Sequence, residues 1–132
     1  YAHHPTEIAA TLKAARAAAG TGRVVACFQP HLYSRTRDFA TEFGAELARA
    51  DVVVVTDVYA AREQPMEGVT SELVVAAAKD AGADVTYVPA LDDVPGALAD
   101  LVHPGDLVLT LGAGDITTAG PRLVSLLEAA RG

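Results

Sequence analysis

Apolar residues along the chain follow two alternating rhythms, one helical and one extended. Ile8, Leu12, Ala15 and Ala19 fall at i, i+4, i+7 and i+11, a single helical stripe. Pro5 suits the first turn of that helix, where its missing N–H leaves no bond unmade. Phe39, Phe43 and Leu47 repeat the helical period, as do Leu73, Val74, Ala77, Ala78 and Ala81, with Gly82 as a C-terminal stop. Pro95 to Leu101 predicts a short fourth helix, and Leu123, Leu126, Leu127 and Ala130 a last one. Between these lie compact apolar runs at 23–28, 51–56, 84–88 and 106–111, which read as strands. The run at 51–56 is β-branched with no polar alternation at its centre, the pattern of a strand covered on both faces of a parallel sheet. The sequence His103-Pro104-Gly105-Asp106 reads as a turn, and no linker or internal repeat interrupts the series. Regular alternation of helix and strand predicts an α/β domain of three layers: a mostly parallel sheet with helices on both faces, joined by right-handed crossovers.

Composition narrows the function classes. With 132 residues, 51% of them hydrophobic, the chain is one folded domain with a real core. The 27 Ala and 16 Val fit helices packed closely on a Val-rich sheet. The net charge of −7 argues against a generic nucleic-acid binder, which needs a basic surface. No apolar run approaches the ~20 residues that span a bilayer, and no signal peptide is read. The single cysteine, Cys27, cannot close an internal disulfide and suits a reducing cytosol; inside an apolar strand it reads as an inert core thiol. No G-x-x-x-x-G-K-[ST] stretch occurs, so any ATP chemistry draws its phosphate loop from elsewhere. The chain opens at Tyr1 just before a helix, as an excised or processed fragment would.

Charge is unevenly placed. Residues 1–38 carry a net +3 and the remaining 94 a net −10. Three of the four histidines, His3, His4 and His31, share the basic end. Chance clustering on solvated faces is one reading, and an anion site is the other.

Open α/β sheets bind ligands beyond the carboxyl ends of their strands. Residues 29–38, 57–63 and 112–115 all follow strands there, and they hold the reactive side chains. Arg35 and Arg37 sit near the start of the helix carrying Phe39, where guanidinium forks and backbone N–H groups together would seat an anion. The plainer alternative leaves Arg37 solvated and pairs Arg35 with an acid such as Asp38. The adjacent His3 and His4 do not easily share a ligand, so no metal site is expected; one caps the helix and the other packs. His31 follows Pro30 in a loop, where it can donate to a bound anion. Gly112 and Gly114 give a tight strand-to-helix turn that is only weakly a phosphate cradle, and Asp115 reads as a cap of the last helix. Asp57 is either a chemistry- or amine-serving acid at a strand end or a turn residue. Tyr59 and Tyr33 sit on the rim or cover the core.

These loops carry a resemblance. Tyr1-Ala2-His3-His4-Pro5-Thr6-Glu7, Phe28-Gln29-Pro30-His31-Leu32-Tyr33-Ser34-Arg35-Thr36, Asp57-Val58-Tyr59-Ala60-Ala61-Arg62-Glu63 and Leu111-Gly112-Ala113-Gly114-Asp115-Ile116 occur in order across essentially the whole chain. Together they resemble the third domain of the Mur ligase family, in its alanine-adding branch. The resemblance implies a Rossmann-like C-terminal, amino-acid-binding domain over residues 1–132, with a UDP-sugar domain and a central ATPase domain outside this chain. It implies a bacterial cytoplasmic enzyme of peptidoglycan synthesis. In the family reaction ATP, with Mg2+ held mainly by the central domain, phosphorylates the carboxylate of UDP-N-acetylmuramate. L-alanine then attacks the acyl phosphate, and amide, ADP and phosphate result. It also implies substrate-binding roles for Arg35, His3, His31 and Tyr1, with Arg37 a substitute where Leu32 replaces an arginine of some members. Asp57, Tyr59, Gly112, Gly114 and Asp115 would shape the nucleotide or amino-acid pocket. A strand just before Tyr1 is implied too, so the sheet of this chain alone would lack one member. The isolated chain is expected to be inactive as a ligase. The rival readings are a muropeptide-recycling ligase of the same family and a stand-alone anion-binding α/β module without catalysis; no nucleic acid or membrane partner is expected.

Overall fold

The valine run at 52–55 has no face that tolerates water, and the structure covers both. The computed structural model describes residues 4–131, with side chains through 129. Its elements run α1 (Pro5–Ala19), β1 (Val24–Phe28), α2 (Tyr33–Leu47), β2 (Val52–Val55), α3 (Glu72–Asp80), β3 (Val85–Tyr87), α4 (Val94–Leu101), β4 (Leu107–Leu111) and α5 (Ala119–Arg131). Short 3-10 turns at Leu91–Asp93 and Asp115–Thr118 lead into α4 and α5. The strands pair in parallel in the order β3-β2-β1-β4.

Side-chain alternation divides the core in two. Val24, Ala26 and Phe28 of β1 and Val53 and Val55 of β2 pack with Ile8, Leu12, Phe43, Leu47 and Val74 of the helices α1 to α3. Val25, Cys27, Val52 and Val54 point the other way, onto Val94, Leu98, Ile116, Ala119 and Leu123. The three-layer parallel architecture is therefore the one the sequence predicts. Both core layers bury mainly branched aliphatic side chains, each contributing about 1.5–3 kcal/mol of transfer free energy.

The amino ends of the strands are tied by acids. Asp51 Oδ2 accepts from the Val24 amide at 2.7 Å and pairs with Arg16 at 2.9 Å. Asp106 receives Arg23 through both oxygens, at 3.1 and 2.7 Å, and also the His103 amide in the turn that follows α4. The same Arg23 donates to the Leu101 carbonyl at 2.9 Å, so one guanidinium closes α4 onto β4.

The helix carrying Phe39 begins at Tyr33, so Arg35 and Arg37 lie in its first turns, near its start as the sequence predicts. Two expectations about buried helix faces are corrected. The buried face of α3 is Val74, Val75 and Ala78, whereas Leu73 is exposed. A Cβ on Gly44 would lie 2.5 Å from the Ala77 backbone, so α2 and α3 pack backbone to backbone, and that contact sets the rotation of α3. On α5 only Ala119 and Leu123 reach the core, while Leu126 and Leu127 face outward, because only the start of this helix lies over the sheet.

Candidate functional site at the carboxyl rim of the sheet

Strand order places the site. The chain leaves β1 toward β2 and later returns from β3 to β4 on the opposite side of β1. The crevice between the carboxyl ends of β1 and β4 is thus the topological switch point, the usual ligand position in such sheets. Gln29 stands there, 5% exposed. Its Nε2 donates to Asp115 Oδ1 at 2.8 Å, and its Oε1 accepts from the Ile116 amide at 3.2 Å. One amide side chain thereby fixes the start of the 3-10 turn after β4. Asp115 does not cap α5, as the sequence suggested: α5 begins four residues later, and the carboxylate is engaged by Gln29.

The two glycines of this turn are demanded by packing. Gly112 adopts φ +149°, and a Cβ there would meet the Ile116 side chain at 2.9 Å and the Gln29 carbonyl at 3.0 Å. A Cβ on Gly114 would lie 2.6 Å from the Tyr59 ring and 2.7 Å from Gln29 Oε1. Tyr59 is thus a rim residue that presses on the β4 turn.

The loops after β1 and β2 run on as a bridged pair. The Tyr59 amide donates to the Pro30 carbonyl at 2.8 Å, and the Leu32 amide to the Tyr59 carbonyl at 2.9 Å. Across this bridge the rings of His31 and Tyr59 stack, with centroids 5.9 Å apart and planes 17° apart. Leu32 turns the chain into α2 at φ +69°, a conformation a leucine adopts only under constraint. The constraint is visible: its carbonyl accepts from both the amide and the hydroxyl of Thr36, at 3.1 and 2.7 Å. One turn into α2, Arg35 brings Nη1 to 3.4 Å from His31 Nδ1. Arginine only donates, so this contact requires Nδ1 as acceptor, with the ring proton on Nε2.

Arg37 does not join that pair. Residues two apart on a helix do not face each other, and Arg37 pairs with Asp38 at 2.9 Å and reaches Met66 Sδ at 3.9 Å. In this structure its guanidinium is thus engaged with Asp38 and not with His31 or Arg35. His4 is also accounted for: its Nδ1 accepts from the Thr6 amide, its own amide donates to Glu7, and its ring meets Phe39 edge-on at 5.1 Å. Tyr1 and His3 lie outside the described residues. Cys27 is buried in β1, and burial pushes its thiol up to about 12, which keeps it protonated and inert.

Beside the bridge, Asp57, Val58, Tyr33, Thr70, Ser71 and Tyr87 line a polar cavity of about 330 Å3. Tyr87 donates its hydroxyl to Asp57, and burial together with that carboxylate raises the phenol above its ordinary pKa. Asp57 is thus more than a local turn residue, because its partner comes from β3. A cavity of about 490 Å3 between α4 and α5 is lined by Asp92, Arg122 and Leu126 among others, and shares no lining residue with the polar one. The rim is preferred as the site because the reactive groups converge there. Four residues in or beside it carried no role in the sequence reading: Gln29, Ser34, Glu63 and Tyr87. Gln29, Ser34 and Glu63 stand inside motifs, so their position was available. Tyr87 sits in a strand, and nothing local distinguishes it.

Among the described residues, no three His, Cys, Asp or Glu side chains converge as a metal site. The described residues thus offer no carboxylate cluster of their own for Mg2+. No helix among them is long and apolar enough to cross a membrane.

A doubly wound parallel sheet with a His-Arg pair at its switch-point rim defines a ligand-binding α/β domain. The family model described as Mur ligase, glutamate ligase domain, matches residues 1–114, and the chain belongs to that family. It is 64% identical to a UDP-N-acetylmuramate–L-alanine ligase of Cutibacterium acnes, over 97% of this chain and 27% of that protein. A Streptomyces avermitilis protein of the same name is 56% identical, over 97% of this chain and 28% of its own length. The crystal structure of UDP-N-acetylmuramate-alanine ligase MurC from Thermotoga maritima superposes with a TM-score of 0.75 at 27% identity, covering 98% of this chain and 26% of that one. A murein peptide ligase from Psychrobacter arcticus, 20% identical with a TM-score of 0.75, shares the fold; 96% of this chain and 26% of that one are covered. The chain spans about a quarter of the length of the curated relatives it matches.

Proposed function

We propose that this chain is the C-terminal, amino-acid-binding domain of a bacterial cytoplasmic ligase that joins L-alanine to UDP-N-acetylmuramate at the expense of ATP. The observation that carries this reading is the Arg35–His31 pair, stacked on Tyr59 at the switch-point rim, in a chain whose relatives at 64% and 56% identity bear that name. A carboxylate such as that of L-alanine needs a charged fork, and Arg35 supplies one. His31, proton on Nε2, adds a second donor toward the same rim. Asp57 and Tyr87 line the neighbouring polar cavity, where Asp57 complements an ammonium group. Tyr1 and His3 complete the site by the family resemblance.

In this scheme UDP-N-acetylmuramate, ATP and Mg2+ are held by the two other domains. This domain orients the amine and, on closing, excludes water from a hydrolysable acyl phosphate. The Arg35 guanidinium and the His31 Nε2–H would also stabilise the charge that develops on the tetrahedral intermediate. The muropeptide-recycling alternative shares the fold, as the Psychrobacter ligase does, but the high-identity relatives favour L-alanine. The test offers the full-length enzyme L-alanine or a tripeptide with ATP and UDP-N-acetylmuramate and follows phosphate release. Turnover with L-alanine and not the tripeptide is expected; the reverse would assign the recycling reaction. The 132-residue chain alone should release no phosphate, and turnover by it would overturn the domain assignment.

A further inference from the structure

The sequence suggests an open anion seat at the start of α2, made of backbone N–H groups. The structure shows that seat filled from within. Glu63, midway along the loop after β2, places its carboxylate on the first turn of α2: Oε1 accepts from the Ser34 amide at 3.1 Å and Oε2 from the Ser34 hydroxyl at 2.5 Å. The Ser34 hydroxyl, then the Ser34 and Tyr33 amides, hold the carboxylate below its ordinary pKa against partial desolvation, with Arg37 adding to the effect.

Residues 59–63 of this loop, which deliver Glu63, form a strained turn. Ala61 sits at φ +54°, and the Glu63 amide donates to the Ala60 carbonyl at 2.9 Å. At its other end the same turn carries Tyr59, whose ring stacks on His31 and fills the space in front of Gly114. Leu32, the other strained residue, lies on the facing loop, two positions before Ser34. The Glu63–Ser34 contact therefore closes a ring of chain: β1 loop, α2, β2 loop and the His31–Tyr59 bridge.

We propose that Glu63 is a positioning residue. Its carboxylate serves as the resident anion of the α2 N-terminus and clamps the β2 loop, so that Tyr59 stays stacked on His31 and Arg35 stays turned to the rim. The substrate carboxylate then meets side chains, Arg35 and His31, and not the helix end. The kinetic part of this proposal rests on the ligase reading above; the clamp itself does not.

Two measurements test it. In the full-length ligase, Glu63→Ala should raise the L-alanine KM about tenfold, the loss of a charge-assisted contact, with kcat and the ATP KM within about threefold. Glu63→Gln, which keeps one acceptor oxygen, should recover most of that loss. Equal falls in every parameter, or an unchanged L-alanine KM, would overturn the positioning role. By NMR on the 132-residue chain, Glu63→Ala and Ser34→Ala should each weaken the ring-to-ring contacts of His31 and Tyr59; contacts of wild-type intensity in both would overturn the clamp. A wild-type enzyme that ignores L-alanine would remove the ligase reading, and the NMR result would still decide the clamp.

Discussion

Gly114 shows how tightly single residues are specified at the rim. Tyr59 and Gln29 occupy the volume that any Cβ would need. Gly114→Ala should therefore displace Tyr59 and cost stability of about 1–3 kcal/mol, the usual range for overpacking, read as a lower midpoint in urea. A midpoint equal to wild type would mean the turn relaxes freely. Glycine at this position was legible as a turn, but its reason was not. That reason lies in a side chain from another loop, 55 positions earlier. Arg35 and His31 were legible because their residue types suit an anion and they stand together after a strand. Their contact geometry was not, since it depends on α2 starting at Tyr33.

At the scale of elements, hydrophobic period alone predicted every strand and helix, because each buries a face of its own period. What it missed was rotation. Leu73 fits the α3 stripe as well as Val75 does, and the choice is made by the backbone contact between Gly44 and Ala77. Gly44→Ala should push α2 from α3 and lower the melting temperature by several degrees, about 4 °C per kcal/mol lost at this chain length. Melting at the wild-type temperature would show that the two helices are not in contact. The same logic explains α5: Leu126 and Leu127 keep the period, but nothing among the described residues lies over them.

For the whole molecule, polarity runs along the sheet axis. Acid–base clamps hold the amino ends of the strands, and the ligand chemistry gathers at the carboxyl ends. Arg23 lowers the Asp106 pKa most, with help from the His103 amide, and the Val24 amide does the same for Asp51. A carboxylate with a depressed folded pKa stabilises the fold fully above its unfolded value, about 4. That contribution is lost as the pH falls through the lower folded value. Thermal stability should thus hold down to about pH 5 and decline below pH 4. Asp106→Asn should melt lower than wild type at pH 6, and the two should converge near pH 2. A constant gap at every pH would assign Asp106 a role other than its charge. The net −7 conceals this arrangement, because the basic first segment supplies both Arg16 and Arg23 to the clamps and Arg35 to the rim.

In the proposed ligase, Arg35 at the rim receives the carboxylate of L-alanine. Steady-state kinetics of Arg35→Ala in the full-length enzyme should therefore show an L-alanine KM at least about tenfold higher, the loss of a bond to a charged group, with the ATP KM within about twofold. An unchanged L-alanine KM would contradict it.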